Sequence, residues 1–483
     1  MLYKRHEKIN KSYDVIIIGS GLGGLTAANK LAKDGYKVLI LEAHNKLGGF
    51  ATWFFRKNKE FIFDVSLHGF PIGMKKTCRK YWNQQIADSI IQVKDVRFLN
   101  PQYKIKTDFT KADYTKKLVE EFKLDAVKVD EFFSFLASMN FYDDQSMTNR
   151  QLFEKFFPNR NDVQRFLLEP ICYANGSTLD DPAITYGIVF SNFMSKGVYT
   201  FEGGTDRLIK LMRDELLKNG VDIKMNSLVD KIMIENSQVR GVCIGEQKIY
   251  SKAVLSNANI KTTIEKLCDK KNFTSEFLEE NNNVQLNTSS CQVYIALKTG
   301  ETIDHIGELV FTSTKDHFDT EDLLDMDINS RTYSIYYPEI RPQEKLNKVA
   351  IVSSTNARYQ DWKDLSESEY KAQKDLMINE TVDHLETLIP DIRTKIELID
   401  AATPLTVERY THHPMGTSFG TKFEGLKVSM NLHKQIDGLF HAGSVGIIMS
   451  GWLGAANYGV IQANEIESYI YNLQPKDKVH AQL

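Results

Sequence analysis

The segment Gly19-Ser20-Gly21-Leu22-Gly23-Gly24 constrains this chain more than any other. It follows a short apolar run at residues 14–18, opens a stretch of helical periodicity over 22–34 and leads to a second apolar run at 37–41. Glycine at the first, third and sixth positions allows a tight turn, lets the backbone approach a pyrophosphate and lets the helix pack closely on the strand. The helix start then offers unpaired N–H groups and the positive end of its dipole to an anion. Glu42 ends the second run, where a carboxylate accepts from ribose hydroxyls and disfavours a 2′-phosphate. A glycine turn in some other α/β protein would not place strand, glycines, helix, strand and acid in this order, so the reading is a dinucleotide-binding βαβ unit.

A chain of 483 residues is too long for one simple core and predicts two or three lobes. With 42% hydrophobic and 25% charged residues it has the composition of a folded globular protein. A net charge of −3 supplies no positive field for a phosphate backbone, which argues against nucleic acid as a partner. The five cysteines have no CxxC spacing and form no disulfide or zinc pattern, so a reducing compartment is expected. No secretory segment is read at the polar, basic start, and the expected location is cytoplasmic. Residues 438–461 are apolar and long enough for a bilayer crossing, yet six glycines with His441 and Asn457 predict a buried strand, a tight turn and a helix start instead.

Further along, 205–218 carries helical spacing, Gly220 stops it, and 221–225 reads as a strand. A hairpin at 231–235 and 240–244 precedes a strand at 248–255 that runs into Ser256-Asn257-Ala258. Residues 76–194 are rich in helical pattern and aromatics, whereas 286–404 hold strand-like runs at 291–297, 332–337 and 349–353 and a long helix at 367–388. The expected architecture is α/β: a discontinuous nucleotide-binding domain from 1–75, 195–285 and 405–483, with an inserted α+β substrate-binding domain from 76–194 and 286–404.

The pair Gly48-Gly49 follows the acid closely, and Gly438 to Ser444, then Gly451-Trp452-Leu453-Gly454, read as a strand ending in glycine before a helix that presents N–H groups to a ring. Together with residues 63–68, the Glu202-Gly203-Gly204-Thr205 turn, residues 253–258 and the run Pro404-Leu405-Thr406-Val407-Glu408-Arg409-Tyr410, these segments resemble the phytoene desaturase, carotenoid isomerase and retinol saturase family, the isomerase and saturase branch most. The resemblance implies a FAD-binding Rossmann-like domain of the two-dinucleotide-binding, GDP-dissociation-inhibitor-like type. It assigns FAD to Gly19, Ser20, Gly21, Leu22, Gly23, Gly24, Glu42, Ala43, Gly48, Gly49, Ala51, Thr52, Val229, Asn257, Gly443, Ser444, Gly451 and Gly454. Two departures stand out: Phe50 replaces an arginine that many relatives carry after the glycine pair, and residues 445–450 replace a Pro-Gly-containing stretch.

The implied activity is oxidoreduction or isomerisation at carbon–carbon bonds of a long apolar polyene or lipid, such as a carotenoid or retinoid. Without a second glycine fingerprint, electrons would pass to or from a quinone, oxygen or another protein. Phe132, Phe133, Phe135 and Phe166 are expected, as a group, to line an apolar tunnel, the alternative being core packing. His68 is the expected acid–base residue, beside a structural reading as a hydrogen-bonded loop histidine. Glu408 with Arg409 reads as an ion pair at a domain junction, and His412-His413 is rejected as a metal pair because adjacent side chains diverge and no third ligand has the spacing. Residues 153–168 mix aromatics with Lys155, Arg160 and Arg165 as an interfacial helix does, giving an expected peripheral membrane contact, with a buried helix pair as the alternative. Two rival activities share the expected fold: an amine oxidase-like flavoenzyme and a non-catalytic lipid- or prenyl-binding chaperone.

Overall fold

The computed structural model describes residues 10–57, 60–65, 68–140, 146–338 and 348–473. Ser66 and Leu67, part of the segment quoted for the resemblance, lie outside them. The apolar run at the start becomes the buried strand Ser12–Ile18, the glycine turn leads into the helix Leu22–Lys33, and the chain returns as the parallel strand Val38–Leu41. A seven-stranded sheet grows around this unit in the order Asp222–Lys224, Val38–Leu41, Ser12–Ile18, Gln247–Ser256, Gln238–Ile244, Lys231–Glu235. The first half of Gln247–Ser256 pairs with the hairpin, while its last three residues pair in parallel with Leu439–His441 from the far end of the chain.

Close approach at two glycines locks the tail onto this sheet. A Cβ on Gly23 would stand 2.4 Å from the Ala442 carbonyl, and one on Gly459 would stand 2.2 Å from the Gly23 carbonyl. The long helix Gly451–Asn472 therefore packs directly along Leu22–Lys33. The stretch 438–461 thus supplies a strand, a turn and a helix start, and among the described residues no helix is long and apolar enough to cross a membrane.

A hydrogen-bonded chain inside this lobe carries one pH prediction. His441 lies fully buried between Ser429 Oγ at 2.6 Å and the Ala258 carbonyl at 2.8 Å, and Ser429 Oγ in turn meets Tyr458 Oη at 2.5 Å. The carbonyl accepts, so Nε2 carries the proton and Nδ1 accepts from Ser429. Burial pushes the imidazole pKa down from 6.5 to about 4. The folded protein then keeps His441 neutral where the unfolded chain binds a proton, so its contribution is complete above pH 6.5 and is lost as the pH falls toward 4. The expected loss across that window is about 3 kcal/mol from this residue. Urea titrations at several pH values check it: His441→Gln should be less stable at pH 7 and less pH-dependent, and an unchanged slope would acquit the residue.

The second seven-stranded sheet runs in the order Ile396–Ala402, Ser289–Leu297, Ala350–Ala357, Ser330–Tyr336, Leu309–Ser313, Val96–Leu99, Lys104–Thr107, antiparallel except where Leu309–Ser313 meets Val96–Leu99. Its side chains alternate as a pleated strand requires. Val293, Ile295, Tyr333, Ile335 and Ile351 share a core with Met377, Val382 and Leu385 of the helix Glu367–Leu388, whose capping box at Ser366 and Glu369 starts it where the sequence predicts. On the opposite face Tyr294, Tyr336 and Val352 pack under the hairpin Trp53–Arg56 and Phe61–Asp64.

The helical, aromatic block forms its own core, and here two expectations change. Phe132 and Phe166 are fully buried with Phe133 nearly so, and all three pack in that core and stand outside the wall of the cavity described below, since rings on neighbouring helix faces satisfy each other first. Residues 153–168 form two helices, Asn149–Phe156 and Asn161–Asn175, which bury Phe153, Phe156, Phe157, Phe166, Leu167 and Leu168. Arg165 is itself buried, donating to the Lys315 and His317 carbonyls, so this segment is the buried helix pair and presents no apolar face to a membrane.

Candidate active site

One cavity of about 990 Å³ runs from the glycine turn to the second sheet. At one end Gly19 to Gly23 line it, with Gly21 leading into the helix Leu22–Lys33 without any side-chain cap, so the first N–H groups stay available to an anion. Asn257 braces the turn from below: its Oδ1 lies where a Cβ on Gly21 would come within 2.7 Å, and its Nδ2 donates to the Ala442 carbonyl at 2.6 Å. Glu42 is nearly buried and holds the neighbouring loops together. One carboxylate oxygen accepts from Ser20 N at 2.8 Å and Ser20 Oγ at 2.5 Å, and the other from His44 N at 2.7 Å.

The separate sequence segments converge here. Gly48 N donates to the Ser20 carbonyl, and Ser227 N and Asn226 N donate to the carbonyls of Glu42 and His44, which brings Val229 to the wall. Thr205, opening its helix after left-handed Gly203 and Gly204, donates from N to Asp64 at 2.9 Å and from Oγ1 to the Thr52 carbonyl at 3.1 Å. The second helix start, Gly451 to Gly454, lines the same space, again without a side-chain cap. Ala43, Gly49, Ala51 and Ser444 also line it. Gly24 and Gly443 do not. They act behind the wall, where a Cβ would meet the carbonyls of Gly19 at 2.5 Å and Ala258 at 2.4 Å. Buried polar atoms of the wall without a protein partner, Thr52 Oγ1, Trp53 Nε1, Asn259 Nδ2 and Thr262 Oγ1, suit a large polar cofactor.

His68 lines the cavity farther on. Its Nδ1 lies 2.7 Å from Ser334 Oγ and its Nε2 3.0 Å from Ser354 Oγ, and burial brings its pKa down to about 4. The imidazole is therefore neutral at ordinary pH and tied to two adjacent strands. Glu408 differs from expectation: among the described residues no ion pair joins it to Arg409, and its carboxylate instead accepts from Tyr359 Oη at 2.5 Å, because both sit on one short helix whose consecutive side chains diverge. His413 packs edge-on against Phe50 at 5.4 Å, with its Nδ1 3.1 Å from the Thr417 carbonyl. No group of three His, Cys, Asp or Glu side chains gathers among the described residues.

Part of the cavity wall comes from residues that the sequence does not single out. It includes Phe109, Ile171, Ile188, Phe193, Leu309 and Phe311, with the polar groups of Gln292, Thr332 and Ser354 on the second sheet. The run Ser353-Ser354-Thr355-Asn356 in a wholly buried strand was its sequence signal, since polar side chains inside a sheet need partners or a cavity.

A family profile described as an NAD(P)-binding Rossmann-like domain matches residues 17–84. Prolycopene isomerase of Daucus carota is 24% identical over 95% of this chain and 80% of its own length, and all-trans-retinol 13,14-reductase of Danio rerio is 24% identical over 93% and 85%. These two relatives, by name a carotenoid isomerase and a retinol reductase, are similar to this chain over nearly its whole length. Among solved structures, an oxidoreductase from Methanosarcina mazei aligns with a TM-score of 0.66 at 16% identity over 94% of this chain and 100% of the other. Cyclohexylamine oxidase from Brevibacterium oxydans IH-35A aligns at 0.65 and 13% over 95% and 99%. At these identities the likeness shows the fold alone, an α/β architecture with a Rossmann-like unit. The Rossmann-like match and the cavity geometry indicate a dinucleotide or flavin cofactor.

Proposed function

We propose that the chain is a FAD-dependent oxidoreductase acting as a desaturase, saturase or isomerase on carbon–carbon bonds of a long apolar polyene or lipid. The observation that carries this is one continuous cavity joining an uncapped glycine turn to a largely apolar compartment. The N–H groups of Gly21 to Gly23 would hold the pyrophosphate, Glu42 the ribose, Val229 and Ala43 the adenine side, and Ser444 with Gly451 to Gly454 the ring end. When bound, the flavin supplies hydride acceptance or donation. The chain's own residues orient an apolar chain against Phe109, Phe193 and Phe311, exclude water, and place the neutral imidazole of His68 at the wall as a fixed hydrogen-bonding group. Electrons would be exchanged with an external quinone, oxygen or protein.

The names of the relatives, which act on prolycopene and all-trans-retinol, support a polyene. An amine substrate fits less well. Asp400, an acid of the cavity wall, is held by Arg56 at 2.6 Å and Glu42 by Ser20 and His44, which leaves these anions committed. Peripheral membrane contact belongs to the same proposal, since a lipid substrate must leave a bilayer, and liposome flotation tests it.

Purified protein is expected to be yellow, to bleach with dithionite, to hold about one flavin per chain and to release an unsaturated lipid on extraction for mass spectrometry. Colourless protein that reconstitutes no flavin would remove the enzymatic reading and leave the lipid-binding chaperone. Peroxide release with a panel of amines, without any polyene turnover, would select the amine oxidase.

A further inference from the structure

Register places one transverse row of side chains on the cavity face of the second sheet. Gln292 stands opposite Ala402 on one side and Ser354 on the other, Ser354 opposite Thr332, and Thr332 opposite Phe311. Directly opposed residues project to the same face, and all five line the cavity. The row is an uncharged polar strip, Gln292-Ser354-Thr332, ending in the apolar ring of Phe311.

The three polar groups are not equivalent. Gln292 Oε1 accepts from the Tyr294 hydroxyl, and Ser354 Oγ is engaged with His68 at 3.0 Å. Thr332 Oγ1 has no partner in the protein although the residue is only 2% exposed. A buried hydroxyl without a partner is costly, and strand threonines of this sort elsewhere in the sheet bond a carbonyl, as Thr312 Oγ1 does with Arg331 at 3.0 Å. Valine has the same shape and would fill the position at no such cost. The charged groups lining the cavity do not compete here: Arg56 and Asp400 pair with each other, and Lys46 donates to the Trp53 carbonyl at 2.7 Å.

We propose that Thr332 is a specificity-determining residue whose hydroxyl binds a neutral oxygen function, an alcohol or carbonyl, carried by the apolar substrate. The strip selects an oxygenated chain over the corresponding hydrocarbon, and it disfavours a carboxylate, for which the row supplies no cation. This rests on the lipid-substrate reading above and adds the chemical class of the end or ring group.

The test uses the flavin-loaded protein and two probes, geranylgeraniol and the hydrocarbon of the same skeleton lacking the hydroxyl, with binding followed by quenching of tryptophan emission, since Trp53 and Trp452 line the cavity. Wild type should favour the alcohol by roughly 2- to 12-fold, the worth of one net hydrogen bond. Thr332→Val should abolish that preference by weakening the alcohol alone, with no fall in thermal midpoint, and Thr332→Ser should restore it. A preference that survives in Thr332→Val, or is absent from wild type, overturns the assignment while leaving the lipid reading intact. A midpoint several degrees lower in Thr332→Val also overturns it, because the hydroxyl would then be bonded within the fold. Binding of neither probe removes the lipid reading and this assignment together.

Discussion

Gly23→Val is expected to give a chain that folds poorly and retains no dinucleotide. Its Cβ would sit 2.4 Å from the Ala442 carbonyl and 3.2 Å from that of Ala455, and both are backbone atoms of the tail that cannot swing aside. Relief requires Gly451–Asn472 to move off Leu22–Lys33, the helix pair with the most extensive mutual packing among the described residues. Overpacking of this sort costs about 3 kcal/mol or more, and displacing the tail also withdraws Ser444 and Gly451 from the cavity. Denaturant unfolding and flavin content after purification measure the two effects. A Gly23→Val protein with the wild-type midpoint would mean that the two helices are free to separate.

Glu42→Leu is expected to lower dinucleotide affinity at least about 100-fold, through the loops as much as through the lost ribose contact. Leucine fills the space but leaves Ser20 N, Ser20 Oγ and His44 N without the acceptor they now share. Each buried donor so stranded costs about 1–3 kcal/mol, and the turn that carries Gly19 to Gly21 is the structure that relaxes to rescue them. Glu42→Gln keeps one acceptor oxygen and should fall between. Reconstitution titrations of stripped protein give the affinities, and equal binding by wild type and Glu42→Leu would show that the carboxylate is dispensable to the turn.

The glycine turn, its flanking strands and Glu42 were legible because each depends on residues within about 30 positions of one another, and the period of apolar residues separates strand from helix over that range. The long helix Glu367–Leu388 was legible for the same local reason, with Ser366 and Glu369 closing its first turn. Between a tunnel wall and core packing, the two readings open for Phe132 and Phe166, the structure takes the core, and aromatic density could not separate them because it is the same in a core as around a tunnel. Among the rings that do line the cavity, Phe109 comes from a loop, Phe193 from the helix Ala183–Met194 and Phe311 from the strand Leu309–Ser313. Residues 153–168 were open to an interfacial reading for a related reason: one amphipathic face looks alike whether a bilayer or another helix covers it, and here Phe132 and Tyr186 cover Phe153.

By itself the sequence determined the local chemistry: a turn able to hold an anion, an acid after the second strand, and a tail with enough glycine to come close. Only the tertiary structure decided which distant strands lie side by side, and so which polar groups share a surface. Gln292, Thr332 and Ser354 stand in three separate strands, and only cross-strand register, set by pairing between segments tens of residues apart, makes them one strip.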